Sequence, residues 1–454
     1  MRPTVVELPA LSALGPEPVL GEAVYAARLA ATRARMADAG LDALIVYADR
    51  EHYANVSYLT GFDPRFEEAL LLVRAESEPV VLAGNESLSF CELAGTPVRG
   101  VLCQSLSLPS QDRSERRRVA DALEAGGLGR RERVGVVGWK PIPHADAPAG
   151  RYALAVPQFA LSEIEDYLDG PIADATLLIC GVDGLRAANE ADQLALHEHR
   201  ATRASQCVWR ALDAVAPGVN ELEVSAAMGL IGLPLACHVM CTSGAYAVNG
   251  LASPTDRMLA RGDRFSTAVG YWGGLCCRAG LVFDAVDPAL EPYLERFAVP
   301  YLRAIHVWYA SVRIGVTGGE VSDRVRSALE PTVVRALLDA GHLIHLDEWF
   351  DTPFAPGSPT KLRSGAALQC DVIPVSERWP GDAANVEDSL ALADADLRAE
   401  LAERYPEAWA RIGARRDFMT GTLGYEIADE LLPFSDRQGA FAPALLSPSA
   451  VLTA

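Results

Sequence analysis

The stretch that decides the fold covers residues 256–283 and reads DRMLARGDRFSTAVGYWGGLCCRAGLVF. Three later segments belong with it: GHLIHLDEW at 341–349, LQCDVIP at 368–374 and NVED at 385–388. The pattern predicts a strand at 264–268 and places all of these segments on a curved antiparallel sheet. The later segments bring histidine, aspartate and glutamate to that sheet, and these residue types carry acid-base and metal chemistry.

The order and spacing of the four segments resemble the C-terminal half of the creatinase, aminopeptidase P and prolidase superfamily. The sequence NVSYLTGF at 55–62 is similar to the N-terminal domain of the same superfamily. The resemblance implies an α/β creatinase-type N-terminal domain over 1–180. It also implies an α+β pita-bread domain of the catalytic type (creatinase/aminopeptidase-like) over 181–454.

Local patterns support that organisation. From about residue 20 to 178, segments with helical and strand periodicity alternate, beginning with a helix at 25–39 and a buried strand at 41–47, which predicts an α/β layer sandwich. In the second half, helices at 292–311 and 320–340 are expected to support the sheet.

Composition limits the functional classes. A chain of 454 residues with 50% hydrophobic content predicts two or three globular domains. The net charge of −20 argues against a nucleic-acid partner, and the lack of a signal-like start or long apolar run predicts a cytoplasmic protein without a membrane partner. Nine scattered cysteines do not form a disulfide framework.

The resemblance also implies what is missing. Metal-dependent relatives hold two ions with carboxylates and one histidine. The register set by GD at 262–263 and by Arg278 places Ala268 and Leu275 where the family has two metal-binding aspartates. At the other metal-binding positions of the family pattern, this sequence has His342, Asp371 and Glu387, which are residues able to bind a metal. We therefore expect no dinuclear site and no cofactor, although three ligands can hold a single ion.

Two other groups are candidates for catalysis. Side chains alternate along a strand, so Cys277 is expected on the same side as Leu275, near His342. The thiol is either a nucleophile activated by the histidine or a small packed residue. The histidine that metal-free creatinase uses is replaced by LAS at 251–253, and His238 is a candidate substitute as acid-base group.

Residues that bind substrate are expected in two places. The segment at 63–68 resembles one that reaches over the neighbouring subunit's pocket in homodimers of this superfamily. The resemblance implies that this protein is a homodimer in which the N-terminal domain completes the partner's site. The segment itself is either a charged lid or a solvated turn. The lid residues are Arg65, Phe66, Glu67 and Glu68. Further candidates for the pocket are Tyr246, Tyr271, Trp272, Arg278 and Trp349.

The leading interpretation is a metal-independent hydrolase that is similar to creatinase or ectoine hydrolase. It would cleave a carbon-nitrogen bond in a small polar metabolite, and cationic metabolites belong to this class. Water or Cys277 would attack, a histidine would move the proton, and Asp371 and Glu387 would orient or bind the substrate. Two alternatives are open: a mononuclear metal-dependent Xaa-Pro peptidase-like hydrolase, and a non-catalytic protein that binds a small molecule.

Overall fold

The computed structural model describes residues 2–115, 117–147, 153–248, 250–378 and 381–453. The chain divides into two compact units, Val19–Ala187 and the combination of Met1–Pro18 with Ala188–Ala454. The first residues, expected in the N-terminal domain, group with the second unit because strand β1 (Pro3–Val5) pairs antiparallel with the C-terminal strand Ala450–Leu452.

The unit Val19–Ala187 contains a mixed six-stranded sheet with the strand order β5-β4-β3-β2-β6-β7. Its strands are β2 (Ala43–Ala48), β3 (Ala69–Arg74), β4 (Val80–Ala83), β5 (Arg99–Leu102), β6 (Val134–Val137) and β7 (Ala173–Asp174). Its α-helices are α1 (Glu22–Asp38), α2 (Ala54–Thr60), α3 (Val119–Gly126), α4 (Gln158–Tyr167) and α5 (Thr176–Ile179). The predicted layered α/β architecture is confirmed.

Strand β2 is apolar along its whole length. Ala43, Ile45 and Tyr47 belong to one core cluster. The alternate residues Leu44 and Val46 belong to a second cluster. Since both faces of the strand are buried, every position is apolar and the sequence reads as a continuous hydrophobic run.

The second unit is built on an antiparallel sheet with the order β12-β13-β15-β10-β9-β8, and β16 pairs with β15. Its strands are β8 (Met240–Ser243), β9 (Arg264–Tyr271), β10 (Gly274–Leu281), β11 (Arg335–Ala336), β12 (His342–Leu343), β13 (Ala367–Gln369), β14 (Pro374–Val375), β15 (Asn385–Leu392), β16 (Leu431–Pro433) and β17 (Ala450–Leu452). Its α-helices are α6 (Ala191–Asp213), α7 (Glu221–Ala227), α8 (Glu291–Tyr293), α9 (Val299–Ser311), α10 (Gly318–Leu329), α11 (Ala395–Arg404) and α12 (Pro406–Gly421).

Two expected elements differ from the structure. The helix predicted over 320–340 ends as α10 at Leu329, since Pro331 has no backbone N–H to continue it. The strand expected at 264–268 is longer, because β9 continues to Tyr271 and forms a hairpin with β10. None of the helices in the described part of the chain is long and apolar enough to cross a membrane.

Two glycines provide a matched test of helix packing. A Cβ added at Gly413, inside α12, meets no atom within 4 Å in the described chain, whereas one added at Gly318 would clash with the carbonyl oxygen of Pro353. Gly413→Ala is therefore expected to raise the free energy of unfolding by about 0.5–1 kcal/mol. Gly318→Ala should lower it by at least about 1–3 kcal/mol. Urea denaturation checks both predictions. A destabilised Gly413→Ala protein would contradict the placement of Gly413 inside α12 with open space around it.

Candidate active site

Three neighbouring strands bring the expected site residues together. Cys277 on β10 lies opposite Ala268 on β9 and opposite Glu387 on β15. Because alternate side chains of a strand face the same side, Leu275 and Ala279 share the face of Cys277. All five of these side chains line one cavity.

The cavity has a volume of about 280 Å³. Its charged lining residues are acidic: Glu348, Asp371 and Glu387. The other lining residues are polar or apolar: Met240, Ala247, Gly250, Leu251, Ser266, Ala268, Leu275, Cys277, Ala279, Leu337, Leu338, Trp349, Ile373, Pro374, Ala383, Ala384 and Asn385. The site is thus an acidic pocket with largely hydrocarbon walls.

His342 lies next to the acidic groups. Strand β12 pairs with β13, so that His342 is opposite Gln369. Its Nε2 atom is 3.3 Å from Glu348 Oε1, 3.9 Å from Glu387 Oε1 and 4.0 Å from Asp371 Oδ2. The Trp349 ring stacks on the imidazole, with centroids 4.1 Å apart and planes inclined by 19°. The histidine is therefore fixed in orientation and surrounded by negative charge.

This environment shifts the pKa values of the acid-base groups. Burial alone would lower the pKa of His342, but the charge and hydrogen bond of Glu348, with Glu387 and Asp371, raise it to about 10. Burial also raises the pKa of Asp371 well above its usual value, and the charge of Glu387 adds to that shift. The pKa of Glu387 is raised by burial as well. A protonated imidazole is therefore the expected state of His342 near neutral pH.

The thiol of Cys277 differs from the expected activated nucleophile. Burial and the charge of Glu387 raise its pKa well above the ordinary value. The side-chain amide of Asn385 donates to its sulfur at 3.3 Å, and Ser266 Oγ lies 3.9 Å away. The hypothesis of a low-pKa thiolate is therefore corrected: the pocket stabilises the neutral thiol.

The donor groups fit one metal ion but not two. His342, Asp371 and Glu387 each offer an atom within 4.8 Å of the others. Asp371 Oδ1 is buried and accepts no hydrogen bond from the described residues. Ala268 and Leu275, however, present hydrocarbon to the same cavity. The residues therefore do not fit the dinuclear centre of metal-dependent relatives, and a single ion would be held by the other three side chains.

Several predicted substrate-binding residues face elsewhere. Arg278 and Tyr271 are buried on the opposite face of the sheet from Cys277, since they occupy the alternate strand positions. Arg278 pairs there with Asp388 at 2.8 Å. Trp272 lies in the β9–β10 turn and is not a lining residue of the cavity.

Two other candidates lie outside the cavity lining. His238 is exposed, and its Nε2 lies 2.8 Å from the carbonyl oxygen of Leu251. Tyr246 is 76% exposed. Neither residue lines the cavity. The expected role of His238 as an acid-base substitute is therefore not supported by its position.

The predicted lid belongs to the unit Val19–Ala187. Glu67 is buried and accepts hydrogen bonds from the backbone N–H and hydroxyl of Ser87 at 2.8 and 2.6 Å, so it orders its own unit and is not free for substrate. Glu68 accepts a hydrogen bond from the Tyr47 hydroxyl at 3.3 Å. Arg65 pairs with Asp63 at 3.0 Å, and Phe66 is 45% exposed.

Glu348 is a site residue that the sequence analysis did not single out. Its carboxylate is the nearest of the three acidic groups to His342. Its position in the segment 341–349, beside Trp349, was the available signal. Asn385 and Ser266, which contact Cys277, were also not expected in the site.

Together, the antiparallel sheet and its acidic cavity define a protein with the pita-bread fold. Residues 28–88 match the sequence model of the family described as Creatinase/Prolidase N-terminal domain. A comparison with curated protein sequences found no match. The predicted resemblance to the creatinase, aminopeptidase P and prolidase superfamily is thus confirmed by the N-terminal match and by the fold.

Solved structures carry the same fold. Dipeptidase PepE from Mycobacterium ulcerans has a TM-score of 0.61 and 20% identity, covering 82% of this chain and 94% of that one. The Xaa-Pro dipeptidase from Bacillus anthracis has a TM-score of 0.61 and 16% identity, covering 82% and 96%. The prolidase from Pyrococcus horikoshii OT3 has a TM-score of 0.61 and 16% identity, covering 81% and 95%. At these identities the similarity concerns the fold.

Proposed function

We propose that the protein is a hydrolase that cleaves a carbon-nitrogen bond in a small cationic metabolite without a resident metal ion. One observation carries the proposal: His342 is buried beside three acidic side chains that line a cavity, in which Ala268 and Leu275 replace the expected metal-binding aspartates. Proteins of similar fold are described as dipeptidases and a prolidase, which supports hydrolysis at a carbon-nitrogen bond.

The roles follow from the arrangement. Glu387 takes a proton from water while the water oxygen bonds to the substrate carbon. His342 is held as an imidazolium by Glu348 behind the cavity lining, and it supplies the proton that Glu348 passes to the nitrogen as the carbon-nitrogen bond breaks. Asp371 binds the positive charge of the substrate. After the products leave, a water molecule between the two side chains would return the proton on Glu387 to His342, since their nearest atoms are 3.9 Å apart.

A mononuclear metallohydrolase is the second candidate. The three donor atoms within 4.8 Å of one another and the unpartnered Asp371 Oδ1 favour it. An ion held by His342, Asp371 and Glu387 would polarise the scissile group and activate water. A third candidate is a binding protein without turnover, which the two lost carboxylates favour.

Metal analysis combined with turnover separates these candidates. We expect much less than one ion per chain by plasma mass spectrometry, before and after dialysis against manganese or zinc. Turnover on a panel of amides, ureas and amidines should be unchanged by EDTA, because no step requires an ion. One tightly held ion and activity abolished by EDTA would favour the mononuclear hydrolase. Ligand-induced thermal shifts without turnover of any stabilising compound would favour the binding protein.

A further inference from the structure

We infer that the cavity selects cations that carry an apolar group and lack a carboxylate. This inference rests on the proposed function, because it specifies the substrate class of the same site. It separates the preferred ligands from zwitterions such as free amino acids and dipeptides, which carry a carboxylate beside their positive charge.

The first step of the argument is the charge of the lining. Glu348, Asp371 and Glu387 line the cavity, and no lysine or arginine is present among its described lining residues. A carboxylate on the ligand would face these like charges, and the imidazolium of His342, which is buried behind the lining, already pairs with Glu348 at 3.3 Å. The ligand carboxylate would therefore lose its hydration without gaining a free cationic partner.

Arg278, which lies next to a cavity residue on β10, cannot compensate. Arg278 follows Cys277 directly, but its guanidinium points to the other face of the sheet. There it donates to both oxygens of Asp388, at 3.0 and 2.8 Å, and to the carbonyl oxygen of Ala440 at 3.0 Å. Turning this side chain toward the cavity would leave Asp388 buried without its counter-ion.

The second step concerns the apolar groups around the cavity. Leu251, Leu337, Leu338 and Trp349 line it while remaining 59, 50, 46 and 38% exposed. Exposed apolar side chains next to a concave site are typical of ligand-binding surfaces. An apolar substituent on the ligand would cover these side chains and remove their surface from water, which favours binding.

Matched probe pairs test the inference by isothermal titration calorimetry on the full-length protein. Agmatine should bind at least about tenfold more tightly than arginine, and phenethylamine at least about tenfold more tightly than phenylalanine, since each pair differs by one carboxylate. Benzamidine should bind more tightly than acetamidine, which lacks the ring. Equal or tighter binding of the zwitterions, equal binding of the two amidines, or a benzamidine Kd weaker than about 10 mM would overturn the inference.

Variants locate the effect. Glu387→Gln should weaken benzamidine binding about tenfold or more, whereas Glu403→Gln, an exposed carboxylate on α11, should not change it. Leu337→Ser should weaken benzamidine and leave acetamidine unchanged. Unchanged benzamidine affinity in Glu387→Gln would contradict the assigned cavity.

Calorimetry needs no turnover, so the inference and the proposed function can fail separately. If the cavity shows the expected binding selectivity but no probe or panel compound is hydrolysed, only the proposed function is rejected. If the protein hydrolyses zwitterions in preference to cations, the inferred selectivity for cations is rejected and the proposed hydrolase function is kept.

Discussion

Replacing Asp388 with alanine is expected to lower the free energy of unfolding by about 3–5 kcal/mol, because it leaves Arg278 buried without its counter-ion. The Arg278 side chain is 2% exposed and the Asp388 side chain is 0% exposed. Asp388 also accepts a hydrogen bond from the backbone N–H of Gly439 at 2.8 Å. Arg278→Ala should be similarly destabilising, since it leaves the carboxylate alone.

The effect should also reach the active site. The Arg278 guanidinium donates to the carbonyl oxygens of Cys277 and Glu387, at 2.8 and 3.0 Å, so it fixes the strands that carry the cavity residues.

Urea denaturation followed by tryptophan fluorescence measures the change in the free energy of unfolding. Arg335→Ala, which removes an exposed ion pair with Glu377, is the control and should cost at most about 1 kcal/mol. Equal effects of the buried and exposed changes would show that Arg278 and Asp388 do not form this buried pair.

Much of this arrangement follows from strand periodicity. The strand pattern predicted the sheet, and alternation of side chains predicted that Leu275 and Cys277 share a face, as the structure shows. The same rule excludes Arg278 from the cavity, because neighbouring residues of a strand point in opposite directions. Its expected role in substrate binding conflicted with that rule.

Other features depend on tertiary contacts that periodicity does not encode. Glu348 reaches His342 because the chain after β12 folds back, so that Phe350 N–H donates to Leu343 O at 3.5 Å. The same fold places Trp349 on the imidazole ring. Likewise, the high pKa of the Cys277 thiol results from complete burial beside Glu387, whereas the sequence shows only a cysteine near a histidine. Residue types were therefore predictable, but their electrostatic states were not.

Those electrostatic states lead to the prediction with the largest expected effect on activity. Glu387→Gln keeps the size of the side chain and removes its capacity to accept a proton, so kcat/KM should fall about 10²–10⁴-fold on whichever compound the panel identifies. His342→Gln should cause a loss of the same order, because the imidazolium 3.3 Å from Glu348 is the proposed source of the proton. Circular dichroism and thermal unfolding would show that both variants remain folded.

Cys277→Ala is the matched comparison at the neighbouring position. The thiol is buried, its pKa is raised, and it lies opposite Glu387 across the β10–β15 pair. If water is the nucleophile, this variant should retain activity within about tenfold of the parent protein, since it removes only a packed side chain. Activity lost in Cys277→Ala but kept in Glu387→Gln would reverse the assignment. It would require the thiol to attack the substrate, and a covalent adduct on Cys277 would then be visible by intact-protein mass spectrometry under substrate turnover.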